Sequence, residues 1–282
     1  MNSPDVSFQS EDGCLIRGNP TQFMGHALVS YVDILGMSSA ITKNWGAESD
    51  SALHRLLRIK TAIPRDDEKT QVTFSIFDPT TNKDFEKYLS ITRTLSDSIV
   101  TMLALPSLPA QCNAQQFTTR VFNVLFCLRF IWQQSLREGF TIRGAIELGE
   151  MFWNETEFIG PSLVYAHRLE NEFANTSRIL VGPVLATHIL RFSQINPNIE
   201  SPMNAFCISK DKKIIVDPHF LIGQEMIDTL ERLRQTAGPS RRKYDEVIEI
   251  LRTPKEKVSR PNLAAMSSYI DDIAEQLHRG QP

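Results

Sequence analysis

The stretch HALVSYVDILG, His26 to Gly36, decides the reading of this chain. It is apolar and β-branched enough to form a buried strand, yet it carries Asp33 in its last third. A lone carboxylate in a low-dielectric interior must find a cation, a hydrogen-bond donor or a proton. Asp33 therefore either caps a turn or belongs to a site.

Working outward, Asp50 to Ile63 places Leu53, Leu56, Leu57, Ile59 and Ile63 close to helical spacing, and Pro64 supplies a stop. Gln71 to Asp78 and Lys87 to Leu103 read as strands flanking the polar turn Pro79 to Asp84, with Asp97 inside the second strand. From Gln115 to Glu138, Phe117, Val121, Val124, Leu125, Leu128, Ile131, Trp132 and Leu136 recur at helical spacing up to Gly139. Thr141 to Phe152 predicts a strand, Leu163 to Ala174 a helix, Arg178 to Val181 a short strand and Val184 to Phe192 a further helix. Ala205 to Ile208 and Lys213 to Val216 predict a last pair of strands. Helical stripes follow: Ile227, Leu230 and Leu233; Val247, Ile248 and Leu251; then Met266, Tyr269, Ile270, Ile273 and Leu277.

This order predicts an α+β fold, with helices packed on an antiparallel-dominated sheet around a ferredoxin-like or palm-like core. The expected organisation is a polar leader over 1–22, a catalytic domain over 23–220 and a helical C-terminal extension over 221–282. No internal repeat or low-complexity segment interrupts it.

The 282 residues suffice for a large buried core, and a formal charge of -3 does not point to a nucleic-acid partner. The short basic run Arg241, Arg242, Lys243 reads as a solvated loop. Cys14, Cys112, Cys127 and Cys207 show no CxxC pairing, which speaks against structural zinc and suits reduced thiols. No apolar run approaches the roughly 18 residues of a membrane span, and Met1 to Asp12 lacks the apolar core of a signal peptide. The expected location is the cytoplasm.

Asp33 in YVDILGM and Asp97 in TLSDSIV fall on strands that a ferredoxin-like topology places side by side. Together they form a candidate divalent-cation site, because magnesium takes oxygen ligands and is commonly held by one or two carboxylates plus substrate phosphates. Taken singly, the other candidates have plainer readings. Arg93 would be a surface strand residue, Glu157 part of a polar turn, and Arg168 the partner of Glu172 one helical turn on. His26 and His167 read as structural, and Trp132 and Trp153 as core.

The ordered set of motifs resembles the class III nucleotidyl cyclases over roughly residues 26 to 185. A strand motif close to F-x-D-I-x-G-F matches Tyr31 to Met37, and a G-D hairpin motif matches Ser96-Asp97. R-x-G-I-x-x-G matches Arg143 to Gly149, and a helix ending close to A-R-L-E matches Ala166 to Glu170. RGAI-x-x-G, F-x-G-P-S before the helix, and Ser177-Arg178-Ile179-Leu180-Val181 are similar to the pyrimidine cyclases of bacterial anti-phage signalling, known as Pycsar.

The resemblance implies that Asp33 and Asp97, with the carbonyl of Ile34, bind two Mg2+ or Mn2+ ions. Arg168 would stabilise the transition state from the partner subunit of a homodimer. The family's asparagine four residues before that arginine is replaced here by Val164. Arg93 stands where purine cyclases carry a base-reading lysine, and Glu157 stands where they carry a carboxylate or its equivalent. A five-donor guanidinium and a carboxylate suit a uracil edge, and equally a guanine edge, so UTP, CTP and GTP stay open on chemistry alone. The resemblance favours UTP, with cyclic UMP acting on a separate cyclic-nucleotide-binding effector. A catalytically silent nucleotide-binding relative and a palm-type phosphotransferase are the other readings. Neither a GGDEF-like turn, a Walker A loop nor an HExxH motif is present.

Overall fold

The structure, a computed structural model, describes residues 7–9, 15–17, 22–46, 50–63, 90–105, 113–195 and 202–279. A short antiparallel pair, β1 (Ser7–Gln9) and β2 (Leu15–Arg17), lies within the segment read as a polar leader. β3 (Phe23–Leu35) then runs through the middle of the main sheet and is followed by α1 (Met37–Lys43) and α2 (Ala52–Ala62). The next elements are β4 (Ser90–Leu95), β5 (Ser98–Ala104), α3 (Ala114–Arg137), β6 (Thr141–Trp153), β7 (Phe158–Ile159) and α4 (Pro161–Phe173). β8 (Ile179–Val181), α5 (Pro183–Ile195), β9 (Phe206–Ile208) and β10 (Ile214–Val216) complete the sheet region. Its strand order is β4-β5-β3-β6-β8-β10-β9, with β7 folded back on β6. Neighbours pair antiparallel except for the parallel β6–β8 pair. The fold is thus α+β with a mainly antiparallel sheet, as the sequence predicts.

Strand alternation sorts β3 onto two faces. Leu28, Val32 and Ile34 enter the large core with Leu56 and Ile59 of α2 and Phe117, Val124, Leu128 and Trp132 of α3. Ala27 and Val29 enter a smaller cluster with Val100, Met102, Met151 and Trp153, against which Tyr31, Phe158 and Leu163 pack. Helix starts follow their caps: Ser51 accepts from the His54 amide and Asn113 from the Gln116 amide. The fully buried Trp132 keeps its indole N–H satisfied by Thr141 Oγ1 at 2.9 Å, so its apolar bulk is buried with no orphan donor.

Lys87 to Leu103, expected as one strand, is divided. β4 and β5 form a hairpin whose turn is Ser96-Asp97, with Ser96 at φ 50. Asp97 lies on that turn and not within a strand. Serine and aspartate tolerate turns well, but the apolar residues on either side carried the strand pattern straight through them. Gln71 to Asp78 and Pro79 to Asp84 lie outside the described residues. The helix α1 was not expected, its seven residues being too short for a periodic signal.

Past the sheet come α6 (Pro218–Leu221), α7 (Ile227–Thr236), α8 (Arg242–Arg252) and α9 (Leu263–Arg279). Leu230, Val247, Leu251, Met266, Tyr269, Ile273 and Leu277 join the same large core cluster as the sheet. The Tyr269 hydroxyl donates to the Val181 carbonyl, tying α9 to β8. Among the described residues no helix is long and apolar enough to cross a membrane.

Candidate active site

Register brings the two aspartates to one end of the sheet. Asp33 on β3 stands opposite Ser98 on β5, and the Ile34 amide donates to the Asp97 carbonyl at 3.2 Å. On its other side Asp33 stands opposite Arg143 of β6, so both side chains leave the sheet on the same face. Arg143 Nε lies 3.4 Å from Asp33 Oδ2 and 2.6 Å from Glu170 Oε1 of α4. Among the described residues neither Arg143 Nε nor Glu170 Oε1 has a partner in hydrogen-bonding geometry, so their contact is an ion pair without an aligned N–H···O bond. Tyr31 closes this end: its hydroxyl donates to Ser98 Oγ at 2.9 Å and its ring meets His167 of α4 edge-on at 5.0 Å.

The electrostatics of this cluster are those of crowded carboxylates. Burial pushes the Asp33 carboxyl up, the charge of Asp97 pushes it further, and Arg143 pulls the other way. Glu170, with its side chain 4 % exposed, is pushed up to about 7, first by burial and then by Asp33 and Asp97, against Arg143. One guanidinium thus serves two carboxyl groups, with the Asp97 charge close by. Two carboxylates that repel one another at a half-exposed sheet end are stabilised by a divalent cation. Among the described residues no group of three or more His, Cys, Asp or Glu is gathered as a metal-ligand set. The protein ligands available are therefore Asp33, Asp97 and backbone carbonyls such as that of Ile34, which fits an ion that takes its remaining oxygens from water and phosphate.

The other predicted residues fall into separate groups. Arg93 on β4 projects from the same sheet face as Tyr31, since both are in register with Val100. Its Nη2 donates to the carbonyls of Asn154 (3.4 Å) and Glu155 (3.3 Å), in the turn that carries the exposed Glu157. Asn154 Oδ1 accepts from the Thr156 and Glu157 amides and shapes that turn. The structure therefore brings Arg93 to the turn of Glu157, through backbone contacts. Arg168, on α4, pairs with Glu172 at 3.1 Å, while its buried Nη2 has no hydrogen-bond partner among the described residues. Val164, one turn earlier on the same helix, is 54 % exposed. Among the described residues none of Arg93, Glu157 and Arg168 pairs with Asp33 or Asp97.

Sequence reasoning quoted Arg143 and Glu170 only as motif letters and assigned them no role. The signal available was a charged residue at each end of a motif that also supplied a strand and a helix facing it. Arg241 to Lys243, read as a solvated loop, instead lead into and open α8. A cavity of ≈ 190 Å³ lies elsewhere, between β9 and α8, and the Lys210–Glu249 ion pair spans its lining. It holds none of the predicted site residues.

No protein-family profile matches the chain, and no curated protein sequence matches it. Solved structures with a distant similarity include two cyclase-related proteins. One is a class III adenylyl cyclase-like ATP-binding protein from Pseudomonas aeruginosa: 12 % identity, TM-score 0.44, covering 74 % of this chain and 41 % of that one. The other is a bacterial light-regulated adenylyl cyclase: 11 % identity, TM-score 0.36, covering 77 % of this chain and 59 % of that one. This chain thus spans less than half of the first structure's length.

Proposed function

We propose that the chain is a metal-dependent nucleotidyl cyclase that converts a pyrimidine nucleoside triphosphate, UTP in preference, into the 3′,5′-cyclic monophosphate and pyrophosphate. The observation that carries this reading is the Asp33–Asp97 pair, two mutually repelling carboxylates stitched together at one sheet end by the Ile34–Asp97 backbone bond. Asp33, Asp97 and the Ile34 carbonyl would hold one or two Mg2+ or Mn2+ ions. Bound there, such ions lower the pKa of a ribose hydroxyl and neutralise triphosphate charge. The ribose 3′-oxygen then bonds to the α-phosphorus as the bond to the bridging oxygen breaks; pyrophosphate leaves and the hydroxyl proton passes to solvent.

The remaining roles belong to the chain's own side chains. Arg93 and Glu157 would read the base edge, the guanidinium exchanging its two carbonyl acceptors for those of the base. Arg168 has a buried guanidinium nitrogen with no acceptor among the described residues, which suits an acceptor supplied from outside. Its distance in role from the aspartates is resolved by a homodimer with composite sites, in which Arg168 acts on the partner's aspartates. The exposed apolar residues Val164, one turn before it on α4, and Ile159, just ahead of that helix, favour such a contact. The resemblance extends the reading to anti-phage defence, with the cyclic nucleotide acting on a separate effector. One observation favours a catalytically silent, nucleotide-binding relative instead: Val164 presents no polar group where the family places asparagine.

Purified protein incubated with Mn2+ and each of the four ribonucleoside triphosphates should release pyrophosphate and one cyclic monophosphate, fastest from UTP. Asp33→Ala and Asp97→Ala should abolish this, and mixing Asp33→Ala with Arg168→Ala chains should restore part of it. Cyclisation by either aspartate variant at the parental rate would overturn the reading, and no recovery on mixing would overturn the shared site.

A further inference from the structure

The C-terminal helices bring a cation to the edge of the carboxylate cluster. Ser177 anchors the arrangement: its Oγ donates to the Ile142 carbonyl at 3.2 Å and hydrogen-bonds Thr141 Oγ1. The next residue, Arg178, accepts from the Gly144 amide at 2.9 Å through its carbonyl. Ser177 and Arg178 therefore flank the strand segment from which Arg143 faces Asp33. From the opposite side, the Ser177 amide donates to the Lys243 carbonyl at 2.8 Å.

This placement of Lys243 is firmly held. Tyr244, Val247, Ile248 and Leu251 bury one face of α8. Glu246 accepts from Thr176 Oγ1 at 2.9 Å and lies 3.4 Å from Arg178 Nη1, itself paired with Asp211. Lys243 is half-buried, yet among the described residues its ammonium forms no ion pair. Its charge is felt at Asp33, where it acts in the same sense as Arg143. Arg241 and Arg242 just before it are exposed.

A compact ammonium without a counter-ion, set beside carboxylates suited to divalent cations, is matched to the oxygens of a polyphosphate that bridges them. We propose that Lys243, supplied by the C-terminal helices, binds the substrate triphosphate and the departing pyrophosphate at the carboxylate cluster of its own chain. The proposal deepens the cyclase reading and rests on it for the identity of the substrate. It gives the helical extension a role in the site, which no motif of the resemblance assigns.

Titration calorimetry with magnesium tripolyphosphate reads the proposal without requiring turnover. Lys243→Ala should weaken binding about tenfold, the loss of one charge-assisted contact; Lys243→Arg should retain most of it, and Lys255→Ala, an exposed lysine elsewhere on the extension, should match the parent. Where Lys243→Ala lowers the melting temperature, Lys243→Met keeps an unbranched apolar stem and isolates the charge. In turnover assays the KM for the triphosphate and the inhibition constant for pyrophosphate should both rise about tenfold with kcat little changed. Parental binding of magnesium tripolyphosphate by folded Lys243→Met overturns the proposal even if the parent makes cyclic nucleotide. Lys243-dependent binding by a parent that makes none upholds the polyphosphate site and removes the cyclase.

Discussion

Glu147→Gln should make the protein markedly more stable at pH 8 while changing little at pH 4.5. Glu147, on β6, is fully buried, and its Oε1 accepts from the Leu148 amide at 2.8 Å and from the Leu185 amide at 2.9 Å, in the first turn of α5. Among the described residues its Oε2 has no hydrogen-bond partner, and it lies against Gly182, where an added Cβ would stand 2.3 Å from it. Burial outweighs the amide donors and pushes this carboxyl from an ordinary 4.5 up to about 7. At about 1.4 kcal/mol per pH unit, that difference amounts to about 3 kcal/mol. Because the folded state holds the proton up to about 7 and the unfolded chain only up to 4.5, the contribution is complete below pH 4.5 and is lost as pH rises through about 7. Glutamine keeps the acceptor that both amides use and carries no charge at any pH. In a chain of this size about 3 kcal/mol corresponds to roughly 6–12 °C in melting temperature. Melting curves of parent and variant between pH 4.5 and pH 8 should therefore diverge by that order, the parent falling more steeply. Glu170 titrates in the same window and keeps some slope in both. Parallel curves across the whole range would refute the claim that Glu147 is a buried, proton-holding carboxyl.

Gly144→Ala should cost about 3 kcal/mol and impair the site, since a Cβ there would meet the Tyr31 carbonyl oxygen at 2.4 Å and Val32 Cγ1 at 2.6 Å, forcing β6 from β3 next to Arg143 and Asp33; denaturant unfolding gives the loss directly. Asp33→Asn should raise the melting temperature in metal-free buffer above pH 7, because it removes a partly buried negative charge facing Asp97, and that gain should shrink when millimolar Mg2+ is added to both proteins. Arg93→Ala should flatten the preference among the four triphosphates while leaving the melting temperature within about 1 °C, as its partners are two carbonyls at a strand edge; an unchanged preference would separate Arg93 from base reading.

Elements whose signal is written between near neighbours were legible in the chain itself. β3 showed through its apolar run, and α3 through the spacing of Phe117, Val121, Val124, Leu128 and Trp132, because each such residue must face the same core regardless of what that core contains. Asp33 stood out for the same reason, as a charge where the pattern demands a buried residue. Periodicity did not mark the Ser96-Asp97 turn, which only the hairpin motif of the resemblance indicated, because two polar residues between apolar flanks look alike in a strand and in a tight hairpin until the partner strand sets the register. Glu170 and Lys243 beside Asp33 were also beyond sequence, since each arrives on a helix whose docking is decided by packing: α4 over β3 and β6, and α8 through Tyr244, Val247 and the Ser177–Lys243 bond. Local periodicity determined which segments are strands and helices. The meeting of charges in space depended on strand register and helix docking, whose free energies come from contacts between residues far apart in the chain, and only the tertiary structure decided it.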